Sequence, residues 1–164
     1  MKKKPTIVIF TDLDGTLLHR DTFQFDIIKD YIKNLVNEGI IIIPNSSKTE
    51  KEIEKFNDEL GVNLPFISEN GSSIHGLNLI TSNFPDKLIL SREKEELFKI
   101  FEDKVPEKLK EKCFLISKMS KKDQENILGQ KDVKLKYALN RKYTLPFLFK
   151  GDKNEKNKLL KVLN

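Results

Sequence analysis

Two carboxylates, Asp12 and Asp14, stand two residues apart at the end of the apolar run Thr6-Ile7-Val8-Ile9-Phe10-Thr11. Held together they repel each other until a cation or a shared proton relieves them. A hard divalent ion such as Mg²⁺ takes carboxylate oxygens, and a carboxylate facing an electrophile can attack it. The pair therefore predicts a Mg²⁺ site in which one carboxylate also acts as nucleophile. Gly15 follows at once and lets the backbone fold tightly beside them. Taken alone, Asp12-Leu13-Asp14-Gly15-Thr16 also reads as an ordinary Asp/Gly turn that caps the next element.

The elements that must hold these residues follow from the hydrophobic pattern. The unbroken apolar run before Asp12 predicts a strand buried on both faces, in the middle of a parallel sheet. Strand alternation puts Asp12 and Asp14 on one side. In open α/β sheets ligands bind beyond the carboxyl ends of the strands. Residues 25–38 predict an amphipathic helix with Ile28, Tyr31, Ile32 and Leu35 on its buried face, ended by Gly39. A second apolar strand over 40–44 completes a right-handed, parallel βαβ unit. That strand runs into Asn45-Ser46-Ser47-Lys48-Thr49. Thr49 and Glu52 predict a capping box for a helix whose apolar face is Ile53, Phe56 and Leu60. A third strand over 65–68 leads to Glu69-Asn70-Gly71, where Asn-Gly predicts a tight hairpin. Three strands thus end in polar residues along one edge. Beyond 83–90 the chain becomes lysine-rich. Helices over 93–101, 120–128 and 132–141 alternate there with apolar runs at 113–116 and 145–149, as in a separate α+β module.

Composition narrows the class. Of 164 residues, 38% are hydrophobic and 34% charged, the balance of a soluble globular chain. The net charge of +5 comes from scattered lysines rather than a basic stripe interleaved with aromatics, so no nucleic-acid partner is expected. The apolar run after Met1-Lys2-Lys3-Lys4 is too short for a secretory signal, and Ile40-Ile41-Ile42-Ile43 is far too short to cross a bilayer. Cys113 is the single cysteine, which excludes an intrachain disulfide and fits a reducing, cytoplasmic setting. His19 and His75 are too isolated in sequence for a metal pair or a triad and read as ordinary polar residues.

Asp12-Leu13-Asp14-Gly15-Thr16 after an apolar strand resembles the first motif of the haloacid dehalogenase superfamily of phosphatases. The resemblance implies an α/β fold with a HAD-like Rossmannoid parallel-sheet core over 1–84. An inserted α+β cap would occupy 85–164, with core and cap both incomplete. It implies Asp12 as the nucleophile that forms an aspartyl-phosphate and Asp14 as general acid and base. Mg²⁺ would be held by the Asp12 carboxylate and the Asp14 carbonyl. Ser46 matches the second-motif hydroxyl that bonds a phosphate oxygen, with backbone N–H groups of Ser47 and Lys48 as further donors at a helix start. Without the resemblance, Ser46 and Ser47 read equally as loop residues before the Thr49 cap, and Lys48 as a solvated lysine.

Within the superfamily, Asn45-Ser46-Ser47-Lys48-Thr49 and Ser68-Glu69-Asn70-Gly71 resemble the mannosyl-3-phosphoglycerate phosphatases. Met119-Ser120 and Arg141-Lys142-Tyr143-Thr144-Leu145-Pro146-Phe147 resemble their cap segments. This branch implies a small phosphorylated sugar-glycerate substrate contacted by Ser46, Ser47, Lys48, Glu69 and Asn70. Arg141 is a candidate for the glycerate carboxylate, since a guanidinium matches it bidentately; it reads equally as a surface arginine. The branch also carries a third-motif lysine and a Gly-Asp-x-x-Asn-Asp cluster that this sequence lacks, so the expectation is the N-terminal portion of a phosphatase. A homo-oligomer or a separate C-terminal half would have to complete it, and apolar surface should be left uncovered. Two alternatives stand beside this reading: a phosphatase for another sugar phosphate or glycosyl-phosphoglycerate, and a catalytically silent phosphate-binding module.

Overall fold

The computed structural model describes residues 7–163, so Thr6 of the first predicted strand lies outside the described residues. The chain divides into two compact units, Met1–Ser91 and Arg92–Asn164. The division falls later than residue 84 because a short strand near residue 88 belongs to the first unit.

In the first unit, β1 (Val8–Thr11) and β2 (Ile41–Pro44) pair in parallel with Val8 opposite Ile41 and Thr11 opposite Pro44. α1 (Asp26–Asn37) connects them, giving the βαβ unit expected from the two apolar runs. Gly39 takes φ +87°, a left-handed value that suits glycine, and its N–H bonds the Val36 carbonyl to end the helix. α2 (Glu50–Leu60) starts with the predicted capping box. The Thr49 hydroxyl accepts from Glu52 N at 3.2 Å, and the Glu52 carboxylate accepts from Thr49 N at 2.9 Å. Ile53, Phe56 and Leu60 of α2 pack with Leu13, Ile32, Ile42, Leu64 and Phe66 into one core. Full burial of each such side chain is worth about 1.5–3 kcal/mol.

β3 (Phe66–Ser68), β4 (Ser73–His75) and β5 (Lys87–Ile89) form an antiparallel meander, and a bridge between Asn45 and Ile67 links β3 to the end of β2. The residue pattern, half polar, predicts no strand at β5, whose residues are mostly exposed. The β3–β4 connection is a 3₁₀ turn rather than a two-residue hairpin, with Glu69, Asn70 and Gly71 all at positive φ.

The structure corrects two expectations of burial. β1 is not buried on both faces: Val8 is 45% exposed, Ile9 36% and Phe10 64%. Among the described residues β1 has one strand partner, β2. Tyr31 was expected on the buried face of α1 but is 65% exposed, while Ile32 on the next position is buried.

The second unit holds α3 (Lys94–Lys104), α4 (Glu107–Lys110), β6 (Cys113–Leu115), α5 (Lys121–Leu128), α6 (Asp132–Leu139), β7 (Phe147–Phe149) and α7 (Lys153–Leu163). β6 and β7 pair antiparallel. Phe101, Val105, Leu109 and Leu159 form its core with Phe147 and Phe149 against them. The Ser120 hydroxyl caps α5 by accepting from Asp123 N. Cys113 is half-buried, its thiol donates to the Leu109 carbonyl at 3.3 Å, and burial raises its pKa.

Candidate active site

Asp12 follows directly on β1. Its Oδ1 accepts from Leu13 N at 2.8 Å, which fixes one oxygen of the carboxylate. Leu13 is fully buried and anchors the loop between the two acids in the core. Gly15, at φ +80°, donates to the Leu18 carbonyl at 2.8 Å while Leu18 N donates to Leu13 O at 2.8 Å, closing the tight turn.

Neighbouring strand ends meet Asp12. Asn45 N donates to Thr11 O at 2.8 Å, and Ser46 N donates to Ile67 O at 3.1 Å. From the other side Asn70 N donates to Ser46 O at 3.1 Å and Glu69 N to Lys48 O at 2.9 Å. These bonds hold Glu69 and Asn70 at φ 49° and 60°, strained values for non-glycine residues that persist where surroundings over-determine them. The outcome is a cleft of about 560 Å³ lined by Asp12, Asn45, Ser46, Ser47, Asn70 and Gly71, among others.

Asp14 faces elsewhere. Its carboxylate sits 3.0 Å from Lys48 Nζ in an ion pair, and the same oxygen accepts no aligned hydrogen bond. Asp14 lines a different groove, of about 830 Å³, with Thr16, His19 and Phe25. Lys48 is 8% exposed; its ammonium also lies 3.6 Å from Glu52 Oε1 and 4.6 Å from the Phe23 ring centre. Two carboxylates and an aromatic face thus surround one buried cation. Glu69 is 1% exposed and is not among the cleft-lining residues. Arg141 belongs to the second unit, where its Nη1 donates to Thr144 Oγ1 at 3.0 Å.

The structure therefore brings Asp12, Ser46, Ser47 and Asn70 to one cleft and ties Asp14 to Lys48. Glu69 is buried and does not line the cleft. Sequence reasoning missed Phe23 and Glu52 as partners of Lys48. Glu52 was legible as a cap residue, but nothing marks Phe23, a phenylalanine at φ 56°. Asn45 was legible by its place at a strand end.

The donor set suits Mg²⁺ in part. Asp12 supplies a hard oxygen beside the cleft, and Mg²⁺ keeps several waters and needs few protein carboxylates. Among the described residues no three His, Cys, Asp or Glu side chains gather as a ready metal cage.

The profile of the haloacid dehalogenase-like hydrolases matches residues 9–163. The chain belongs to that family. It is 31% identical over 159 residues to the glucosyl-3-phosphoglycerate/mannosyl-3-phosphoglycerate phosphatase of Persephonella marina, covering 92% of this chain and 58% of that protein. It is 48% identical over 67 residues to the mannosyl-3-phosphoglycerate phosphatase of Pyrococcus horikoshii, covering 41% and 27%. The chain thus spans little more than half of the Persephonella protein's length. Its fold matches that of a haloalkanoate dehalogenase superfamily phosphatase from Bacteroides thetaiotaomicron with a TM-score of 0.62 at 14% identity, covering 99% of this chain and 62% of the other. The fold class is accordingly the α/β fold of this family. No helix among the described residues is long and apolar enough to cross a membrane.

Proposed function

We propose that this chain carries the nucleophile and phosphate-cradle portion of a phosphatase acting on a glycosyl-3-phosphoglycerate, mannosyl-3-phosphoglycerate first. The carrying observation is the convergence of Asp12 with Ser46, Ser47 and Asn70 at the carboxyl ends of β1, β2 and β3. Asp12, with one oxygen pinned by Leu13 N, offers the other to phosphorus. The Ser46 and Ser47 hydroxyls are the proposed donors to the equatorial phosphate oxygens, over which the transition-state charge is spread; Lys48 N, which donates to Ser46 Oγ at 3.2 Å, and Thr49 N, which donates to Glu52, are already engaged. Asp14 is proposed as the acid that protonates the leaving alkoxide, released from Lys48 when the site fills. Mg²⁺, when held by the Asp12 carboxylate and the Asp14 carbonyl, supplies charge neutralisation between acid and phosphate. We assign Met1–Ser91 to the core and Arg92–Asn164 to the cap, with Arg141 in the cap as the candidate for the glycerate carboxylate. The lone cysteine supports a cytoplasmic setting.

One observation favours the silent phosphate-binding reading: the Asp14 carboxylate is already engaged by a buried ammonium. Phosphate release from mannosyl-3-phosphoglycerate with Mg²⁺, compared between this chain and Asp12→Asn, separates the two. Release abolished by the substitution supports the phosphatase. Phosphate binding without release in either protein supports the module, and release untouched by Asp12→Asn removes Asp12 from the chemistry.

A further inference from the structure

A second polar cluster lies inside the first unit, where Ser68 and Ser73 expose none of their surface and His75 is buried. Antiparallel register sets Ser68 opposite Ser73 and Phe66 opposite His75. The two hydroxyls are 2.8 Å apart. His75 Nε2 lies 2.8 Å from Ser73 Oγ and 3.2 Å from Ser68 Oγ. Phe66 stacks on the imidazole with ring centres 4.4 Å apart and planes 10° from parallel. On the far side of the ring, Nδ1 is 3.5 Å from Glu50 Oε1, and Lys87 Nζ is 2.9 Å from the other oxygen of Glu50.

The order hydroxyl, imidazole, carboxylate is that of a nucleophilic triad, but neither hydroxyl reaches solvent, so no substrate can meet it. Proton counting gives the cluster a different job. With the imidazole neutral and its proton on Nδ1, that N–H points at Glu50, Ser73 donates to Nε2, and Ser68 donates to Ser73. Every proton in the chain then has an acceptor. With a proton on Nε2 as well, that N–H takes the Ser73 oxygen, Ser73 donates to Ser68, and the Ser68 proton is left without an acceptor in the cluster, a costly state for a buried hydroxyl. Charged groups facing the ring include Glu50 from α2 and, through it, Lys87 from β5.

The cluster also has a reach. Glu50 opens α2, directly after Ser46-Ser47-Lys48-Thr49. Ser68 directly precedes Glu69 and Asn70, whose N–H groups bond Lys48 O and Ser46 O. His75 therefore ties together the roots of both loops that meet at the Asp12 cleft.

We propose that His75 is a positioning residue for that cleft: a neutral Nδ1–H imidazole that locks the first turn of α2 to the β3–β4 hairpin and so sets the spacing of Ser46 and Asn70. The proposal rests on the phosphate-cleft reading above. The test is imidazole ¹⁵N NMR of the unliganded chain, together with calorimetric binding of inorganic phosphate in the presence of Mg²⁺. The chain has two histidines, so the signals lost in His75→Gln belong to His75. The expected spectrum shows one Nδ1–H tautomer for His75. His75→Phe, which keeps a ring on Phe66, should weaken phosphate binding about tenfold, the equivalent of one hydrogen bond to a charged group. His75→Gln, able to donate to Glu50 and accept from Ser73, should recover most of that loss. An Nε2–H or averaged tautomer overturns the proposal, as does unchanged phosphate affinity in His75→Phe. Ser46→Ala separates the two readings: weakened binding there with none in His75→Phe defeats the role of His75 alone. Unchanged binding in both, or no binding by the unsubstituted chain, defeats the cleft reading itself. If His75→Phe does not fold, the tautomer and the His75→Gln affinity decide.

Discussion

β1 and β2 are neighbours of nearly the same composition, Val-Ile-Phe-Thr and Ile-Ile-Ile-Pro, joined in one parallel ladder. Ile42 and Ile43 are 4% and 6% exposed, whereas Phe10 beside them is 64% exposed. The difference lies in what each strand is packed against. β2 is pressed by α2 and linked to β3, while β1 pairs with no strand but β2 among the described residues. Composition sets a strand's capacity for burial, and its neighbours decide whether that capacity is used. The cleft follows the same division: its polar wall, Ser46 to Asn70, is knitted by backbone bonds, and Asp12 stands at the border with the uncovered side.

The contrast can be broken most forcefully on the packed side. Leu60→Ala, at a fully buried position, is expected to cost about 2–5 kcal/mol in denaturant unfolding; a cost below about 1 kcal/mol means that the α2 side is no better packed than β1. Next in size is Thr49→Ala, which removes a buried cap and should lower stability by about 1 kcal/mol. That figure sharpens against a second reciprocal cap, at the start of α7, which is exposed. There Glu155 N donates to Asp152 Oδ1 and Asp152 N to Glu155 Oε2, both at 2.9 Å. The Lys112 ammonium holds the Glu155 carboxyl below its ordinary pKa, and the Glu155 N–H does the same for Asp152. Depressed folded-state values mean stability that is full above the ordinary carboxylate range and lost as pH falls through the folded values. Acid titration of the α7 end should therefore show a small loss below the carboxylate range that Glu155→Gln flattens; an unchanged acid limb in that variant refutes the coupling. The smallest effect belongs to the bare side. Phe10→Ser should shift unfolding by no more than about 0.5 kcal/mol while reducing self-association in light scattering. A large loss of stability would show that β1 is covered in solution.

What could be read in the sequence was local. The Asp12 turn, the Gly39 stop and the Thr49–Glu52 box each depend on residues within a few positions of one another, and all three stand in the structure. The helices over 94–104, 121–128 and 132–139 follow the same logic. Features set by long-range pairing were not legible. His75 read as isolated because its partners Ser68 and Glu50 come to it through strand register and through a helix 25 residues upstream. Phe23 stayed hidden because an aromatic residue at positive φ has no sequence signature. α7 was not read at all, since its Leu159 is the one core residue of a lysine-rich stretch. The exposure of β1 was misread because the pattern of a two-faced strand is the same with or without neighbours.

The Cys113 thiol has a consequence for kinetics. It donates to the Leu109 carbonyl and partial burial raises its pKa, so alkylating reagents should meet less thiolate while β6 and α4 hold together. Opening of that corner exposes the half-buried sulfur further, and with no other cysteine in the chain every label reports on this one place. The alkylation rate thereby reports on the packing of the β6–α4 corner of the second unit and is silent about the first.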